Sequence, residues 1–186
     1  MMRIITGKAK GIRLKTLEGE ATRPTAERVK EALFSMIQSE IEGREVLDLF
    51  SGSGQLALEA LSRGAAHAYL VDSSAPAIKV LSENAEKTRL APFCTIVKDD
   101  YLSFIKKNCA RRFDIVFIDP PYASGFYTVA LTALHEHGLL KSTSLVICES
   151  DTENIFTEDT ALKEKYETLK QSRYGRTYIT VLTPKE

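Results

Sequence analysis

Apolar positions along this chain fall into short, mostly apolar runs, separated by stretches in which they recur every three or four residues. The runs cover 46–50, 68–71, 94–97, 113–118 and 145–148 and read as strands, the unbroken stretch 115–118 as one buried on both faces. Helical spacing fills the intervals at 55–63, from Ser74 and Pro76 through about 89, and at 102–107 and 126–137, with Gly64 and Gly138 as stops. Alternating strand and helix predicts an α/β architecture: a mostly parallel sheet covered by helices on both faces. The sequence contains no internal repeat and no low-complexity segment.

Both ends depart from this rhythm. Residues 2–16 alternate loosely and predict two short strands around a turn bounded by Gly7 and Gly11, with Ile12 and Leu14 inward and Arg13 and Lys15 outward. So small a hairpin is weak alone and must dock on the main domain. Ala26, Val29, Leu33, Met36, Ile37 and Ile41 then predict one amphipathic helix ending near Gly43, with Thr25 as its N-cap. Arg28 falls in the expected first turn, where a cation opposes the helix dipole. Residues 151–164 read as polar and irregular, and 166–170 and 177–182 as closing strands joined by Arg173-Tyr174-Gly175-Arg176. The expected organisation is a basic hairpin-and-helix extension over 1–42 and an α/β domain over 43–186.

The 186 residues carry zero net charge, which by itself argues against a nucleic-acid partner. The distribution argues for one. Residues 1–30 hold eight basic and three acidic groups, a balance of +5, which leaves −5 for the rest. A basic arm on an acidic body suits phosphate binding, with Lys8, Lys10, Arg13, Lys15, Arg23 and Arg28 as the candidate cations. Cys94, Cys109 and Cys148 form no metal or disulfide pattern, and His67, His135 and His137 no metal site, so no metal is expected. With no secretory h-region at the N-terminus and no run long enough to span a bilayer, the expected setting is the cytoplasm.

Candidate chemistry gathers at strand ends, where open α/β sheets bind ligands. Asp48-Leu-Phe-Ser51-Gly52-Ser-Gly54 runs from the first strand into a helix, and Gly52 and Gly54 would let a ligand approach the backbone. Asp72 ends the next strand, placed to accept from ribose hydroxyls, and Asp99 or Asp100 the one after, where an adenine amine could be read. The spacing also satisfies a dinucleotide fingerprint. A carboxylate at Asp48, however, would repel a pyrophosphate and attract an ammonium, so S-adenosylmethionine fits the three stations better. The strand over 113–118 ends in Asp119-Pro120-Pro121-Tyr122, a stiff loop carrying one carboxylate and one ring.

These residues together make the chain resemble the Asp-Pro-Pro-Tyr class of S-adenosylmethionine-dependent methyltransferases that act on exocyclic amines. More narrowly, it resembles the bacterial small-subunit ribosomal RNA methyltransferase D family. The resemblance spans nearly the whole chain and includes Arg3-Ile4-Ile5-x-Gly7, Thr22-Arg23-Pro24-Thr25, Glu59 through Ala65, Asp119 to Tyr122 and Arg173-Tyr174-Gly175. It departs at Ser51, where the family often has alanine.

The resemblance implies a Rossmann-like class I methyltransferase fold, seven strands with the last antiparallel, and N2-methylation of a guanine in 16S rRNA. Asp119 and Pro120 would hold the amine and Tyr122 stack on the base, beside a cofactor held by Asp48, Ser51, Gly52, Gly54, Asp72, Asp99, Asp100 and Asp119. The expected partner of this monomer is 16S rRNA in the small subunit or an assembly intermediate. Adenine-N6 methylation of DNA or RNA, and a non-catalytic cofactor-binding role in ribosome assembly, remain as alternatives.

Overall fold

The computed structural model describes residues 2–17, 24–121, 125–157 and 159–185. Seven strands form one sheet: β1 (Glu45–Asp48), β2 (His67–Asp72), β3 (Cys94–Lys98), β4 (Phe113–Ile118), β5 (Leu140–Ser150), β6 (Tyr166–Tyr174) and β7 (Thr177–Pro184). Their order is β3-β2-β1-β4-β5-β7-β6. The first five strands run parallel, and β7 is antiparallel to both of its neighbours. The connection reverses direction between β1 and β4, so the switch point lies where Asp48 and Asp119 end their strands.

Among the described residues six α-helices accompany the sheet: α1 (Pro24–Met36), α2 (Gln55–Ser62), α3 (Ala75–Lys87), α4 (Tyr101–Lys107), α5 (Phe126–Glu136) and α6 (Thr160–Glu164). Leu33, Phe34, Leu56 and Leu81 from α1–α3 pack on the sheet face that carries Phe117 and Ile147. Phe104, Leu131 and Leu162 from α4–α6 cover the other face, with Val116 and Cys148. No helix among the described residues is long and apolar enough to cross a membrane.

Several elements differ from the sequence reading. α1 begins at Pro24, a residue suited to a first turn, so Thr25 lies inside the helix and is not its N-cap. Arg28 then falls beyond the first turn, which instead holds Glu27, the favourable sign for a helix start. The helix stops at Met36, and a single 3-10 turn at Gln38–Glu40 leads on. Residues 38–40 offer no apolar side chain to anchor another α turn, while Ile37 and Ile41 are still buried. β1 ends at Asp48, two residues short of expectation, because Leu49 and Phe50 already belong to the turn. β5 is far longer than 145–148, since Glu149 and Ser150 pair with Ile179 and Tyr178 of β7. α6 lies in the stretch expected to be irregular; Asp159 caps it by accepting from Leu162 N at 2.9 Å.

The N-terminal arm is a minimal hairpin with one antiparallel bridge, Arg3 to Arg13, and backbone bonds from Ile4 N to Ile12 O and Leu14 N to Met2 O. Leu14 is buried and Ile12 half-buried, whereas Arg13 and Lys15 face out. Side chains of α2 and α3 complete its hydrogen bonding. Glu59, wholly buried, accepts from Ile5 N at 2.7 Å and Thr6 N at 3.0 Å and pairs with Arg63 and Lys30. Ser62 Oγ donates to Thr6 O and accepts from Ala9 N, and Asn84 brackets the backbone of Lys15. Gly7 sits at φ +86°, and a Cβ there would lie 1.7 Å from the Ser62 carbonyl oxygen. Only glycine lets the arm approach α2 this closely.

Candidate active site

All five parallel strands end on one edge of the sheet, and a cavity of about 760 Å³ opens there. Asp48, Ser51, Gly52, Asp72, Asp99, Asp100, Asp119 and Pro120 all line it. Met2 and Leu17 of the arm also reach its wall. These residues therefore meet at one cavity.

Each carboxylate is held differently. Asp72 accepts from Gly52 N at 2.9 Å through one oxygen and from Ser74 N at 2.8 Å through the other. That lashes the glycine turn to the end of β2. Asp100 caps α4, its Oδ1 accepting from Leu102 N and Ser103 N. Asp99 pairs with Lys107 at 2.7 Å, which holds its carboxyl below the usual range. Ser51 lines the cavity, but its hydroxyl donates to the Asp48 carbonyl at 3.0 Å, closing the turn.

Asp48 stands apart. It is 1% exposed, and Oδ1 is the only buried side-chain N or O atom among the described residues that lacks a hydrogen-bond partner. Burial, with a smaller push from Asp72, raises its pKa to about 7 against the backbone N–H groups of Phe50 and Ala57. A buried carboxylate oxygen with no partner is costly. A donor cation brought into the cavity would remove that cost.

Gly54, expected beside the ligand, is not among the cavity residues. It N-caps α2 at φ +85°, and a Cβ there would lie 2.3 Å from Leu81 Cδ1. Its glycine serves the packing of α2 on α3. Tyr122 and Arg23 lie outside the described residues. Lys8, Lys10, Arg13, Lys15 and Arg28 are exposed, and Lys15 is paired with Glu83.

Sequence reasoning missed two features of the cavity. Phe50, Tyr101 and Phe126 form a ring cluster on its wall, with centroids 4.9 Å, 5.6 Å and 5.8 Å apart. Phe50 and Tyr101 adjoin residues already singled out, so adjacency was the available signal. Glu149, at the end of β5, also lines the cavity. It obeys the same strand-end rule that identified Asp48, Asp72 and Asp119.

Six carboxyl-bearing residues around one cavity favour a cationic ligand and disfavour a pyrophosphate. Pro120 is buried and Pro121 exposed at the corner after β4, where rigid φ angles hold the Asp119 backbone in place.

Known proteins agree with this architecture. The Bacillus subtilis (strain 168) protein named "Putative rRNA methyltransferase YlbH" is 36% identical over 154 residues, covering 82% of this chain and 84% of the relative. Ribosomal RNA small subunit methyltransferase D of Escherichia coli (strain K12) is 35% identical over 153 residues, covering 82% and 76%. The solved structure of "Putative methyltransferase yhhF from Escherichia coli" superposes with a TM-score of 0.83 at 29% identity, over 99% of this chain and 98% of that one. The fold is that of the S-adenosylmethionine-dependent methyltransferases. A family model described as Conserved hypothetical protein 95 matches residues 2–183, and the chain accordingly belongs to that family, the one that contains ribosomal RNA small subunit methyltransferase D.

Proposed function

We propose that this protein transfers a methyl group from S-adenosylmethionine to the exocyclic N2 amine of a guanine in 16S ribosomal RNA. The bound cofactor would supply a methyl group activated by a sulfonium cation. The unpartnered Asp48 oxygen inside an acid-lined cavity is the observation that carries the cofactor assignment. Asp48 accepts from the cofactor's ammonium, Asp72 from its ribose, and Asp100 or Asp99 from the adenine amine.

The other half of the cavity handles the base. A guanine amine is a poor nucleophile because its lone pair is delocalised into the ring. Asp119 and the Pro120 carbonyl accept its two hydrogens, which favours a pyramidal nitrogen and aims the lone pair at the methyl group. Most of the rate then comes from positioning and fixed dipoles. The new C–N bond would form as the S–CH3 bond of the donor breaks, and the nitrogen, by then far more acidic, would release its proton to solvent. Tyr122 stacks on the base, an interaction worth about 1–3 kcal/mol. The target must be unpaired or flipped to reach this corner. Lys8, Lys10, Arg13, Lys15, Arg23 and Arg28 hold phosphates, giving affinity with little sequence reading.

The names of the relatives, small subunit methyltransferase D among them, support rRNA as the substrate. Nucleoside mass spectrometry of 16S rRNA from cells with and without the gene tests it. An N2-methylguanine that disappears with the gene is the expected result; an unchanged nucleoside profile rejects the assignment.

A further inference from the structure

Strand register places a second acid beside Asp119. Phe117 pairs with Ile147 and Ile118 with Cys148, so the rung that follows falls on Asp119 and Glu149. Side chains alternate along a strand, which puts Glu149 on the face that carries Ile147, next to the corner where Asp119 follows β4. Both acids line the cavity. The backbone of Glu149 is fixed from two sides: it pairs with Ile179 on β7, and its carbonyl accepts the Tyr127 hydroxyl at 2.5 Å. Glu149 is half-buried, and its carboxyl group forms no hydrogen bond or ion pair with the described residues. Burial pushes its pKa up to about 7. A carboxyl with nothing to accept from, one strand from the corner that holds the amine, lacks a donor that a ligand can supply.

Resting on the guanine-N2 reading above, we propose that Glu149 is the residue that specifies guanine, its carboxylate accepting the N1–H next to the reacting amine. Adjacent strands lie about 4.8 Å apart, a spacing that neighbouring N–H groups on one base edge can bridge. The chemistry discriminates sharply. Guanine offers two adjacent donors there, N1–H and the N2 amine, whereas adenine sets a bare N1 acceptor beside its amine. A carboxylate facing that lone pair is repelled, so the corner that could hold either amine accepts only the base with a donor at N1.

The test uses the substrate RNA with either guanine or 2-aminopurine at the methylated position, which mass spectrometry locates. 2-Aminopurine keeps the C2 amine but has an unprotonated N1. Wild type and Glu149→Gln are compared at pH 8.5, where the carboxylate is ionised. Wild type is expected to prefer guanine by roughly a hundredfold or more. In E149Q that preference falls at least tenfold, because an amide can accept from N1–H or turn and donate to a bare N1. Cofactor affinity equal to wild type shows that the variant's site is intact. Equal slowing on both RNAs, or an unchanged preference, overturns the role of Glu149 while leaving the guanine reading standing. Absence of N2-methylation by wild type on the guanine RNA overturns both.

Discussion

The arm and the sheet edge are charged in opposite senses and present their charge in opposite ways. On the arm, Lys8, Lys10 and Arg13 point into solvent, while the groups that hold the arm down, Glu59 and Ser62, are buried beneath it. At the sheet edge Asp48, Asp72, Asp119 and Glu149 all line one cavity. A chain of zero net charge can thus meet a polyanion outside and a cation inside, with Met2 and Leu17 carrying the arm to the rim of the cavity. Net charge says nothing about this division; only placement does.

The sharpest way to break the comparison is to detach the arm. Glu59→Ala removes the carboxylate oxygens that accept from two backbone N–H groups and leaves Lys30 and Arg63 buried without their anion. Breaking a buried pair on one side costs about 3–5 kcal/mol, so urea unfolding is expected to show a loss of that order. A loss below about 1 kcal/mol would mean the arm docks without Glu59. At the sheet edge, Asp119→Ala is expected to lower kcat about 10²–10³-fold, the usual cost of one preorganised charge-stabilising group, with cofactor affinity changed far less. Equal activity in single-turnover assays would remove Asp119 from the chemistry.

The exterior charges give a smaller, salt-dependent effect. Replacing Lys8, Lys10 and Arg13 with Gln should flatten the log–log dependence of RNA affinity on salt by about two to three, roughly 0.9 for each phosphate no longer neutralised. Cofactor binding should stay as in wild type, since none of the three lines the cavity. Unaltered salt dependence in filter binding would show that the arm does not touch phosphates.

How much of the molecule is legible in its sequence depends on whether a residue's own neighbours along the chain define its role. β4 matches its expected span, because the apolar stretch 115–118 stops at Asp119 and the two prolines behind it. The edges of β5 are invisible there: Lys141, Ser142 and Thr143 look like loop, and only pairing with β4 and β7 makes the strand. Glu149 is lost with that edge, although the same logic finds Asp48 and Asp72 one and two strands away from β4. Gly54 shows the converse. A glycine beside a ligand and a glycine beside Leu81 are the same letter, and only the fold says which Cβ is forbidden. Gly7 carries its reason in Ser62, which no local pattern links to it.

Asp48 yields the finest test of the interior charge. Its folded pKa, about 7, lies above the unfolded value of roughly 3.9. The folded state therefore binds the proton more tightly, and by linkage the ligand-free protein loses stability as pH rises from about 4 to about 7. Above that window the carboxylate is ionised, buried and short of a partner. Asp48→Asn should accordingly raise the Tm of the free protein more at pH 8.5 than at pH 5. The same ionisation prepares the site for a cation. Between pH 6 and 8 the ionised fraction rises about tenfold for a pKa near 7, so S-adenosylmethionine affinity by calorimetry should tighten by about that factor in wild type. The comparison with D48N isolates this carboxylate from the cofactor's own amine, whose titration both proteins share. If the two proteins show the same pH dependence, the orphaned oxygen faces something other than the cofactor's ammonium, and the acid lining of the cavity needs another explanation.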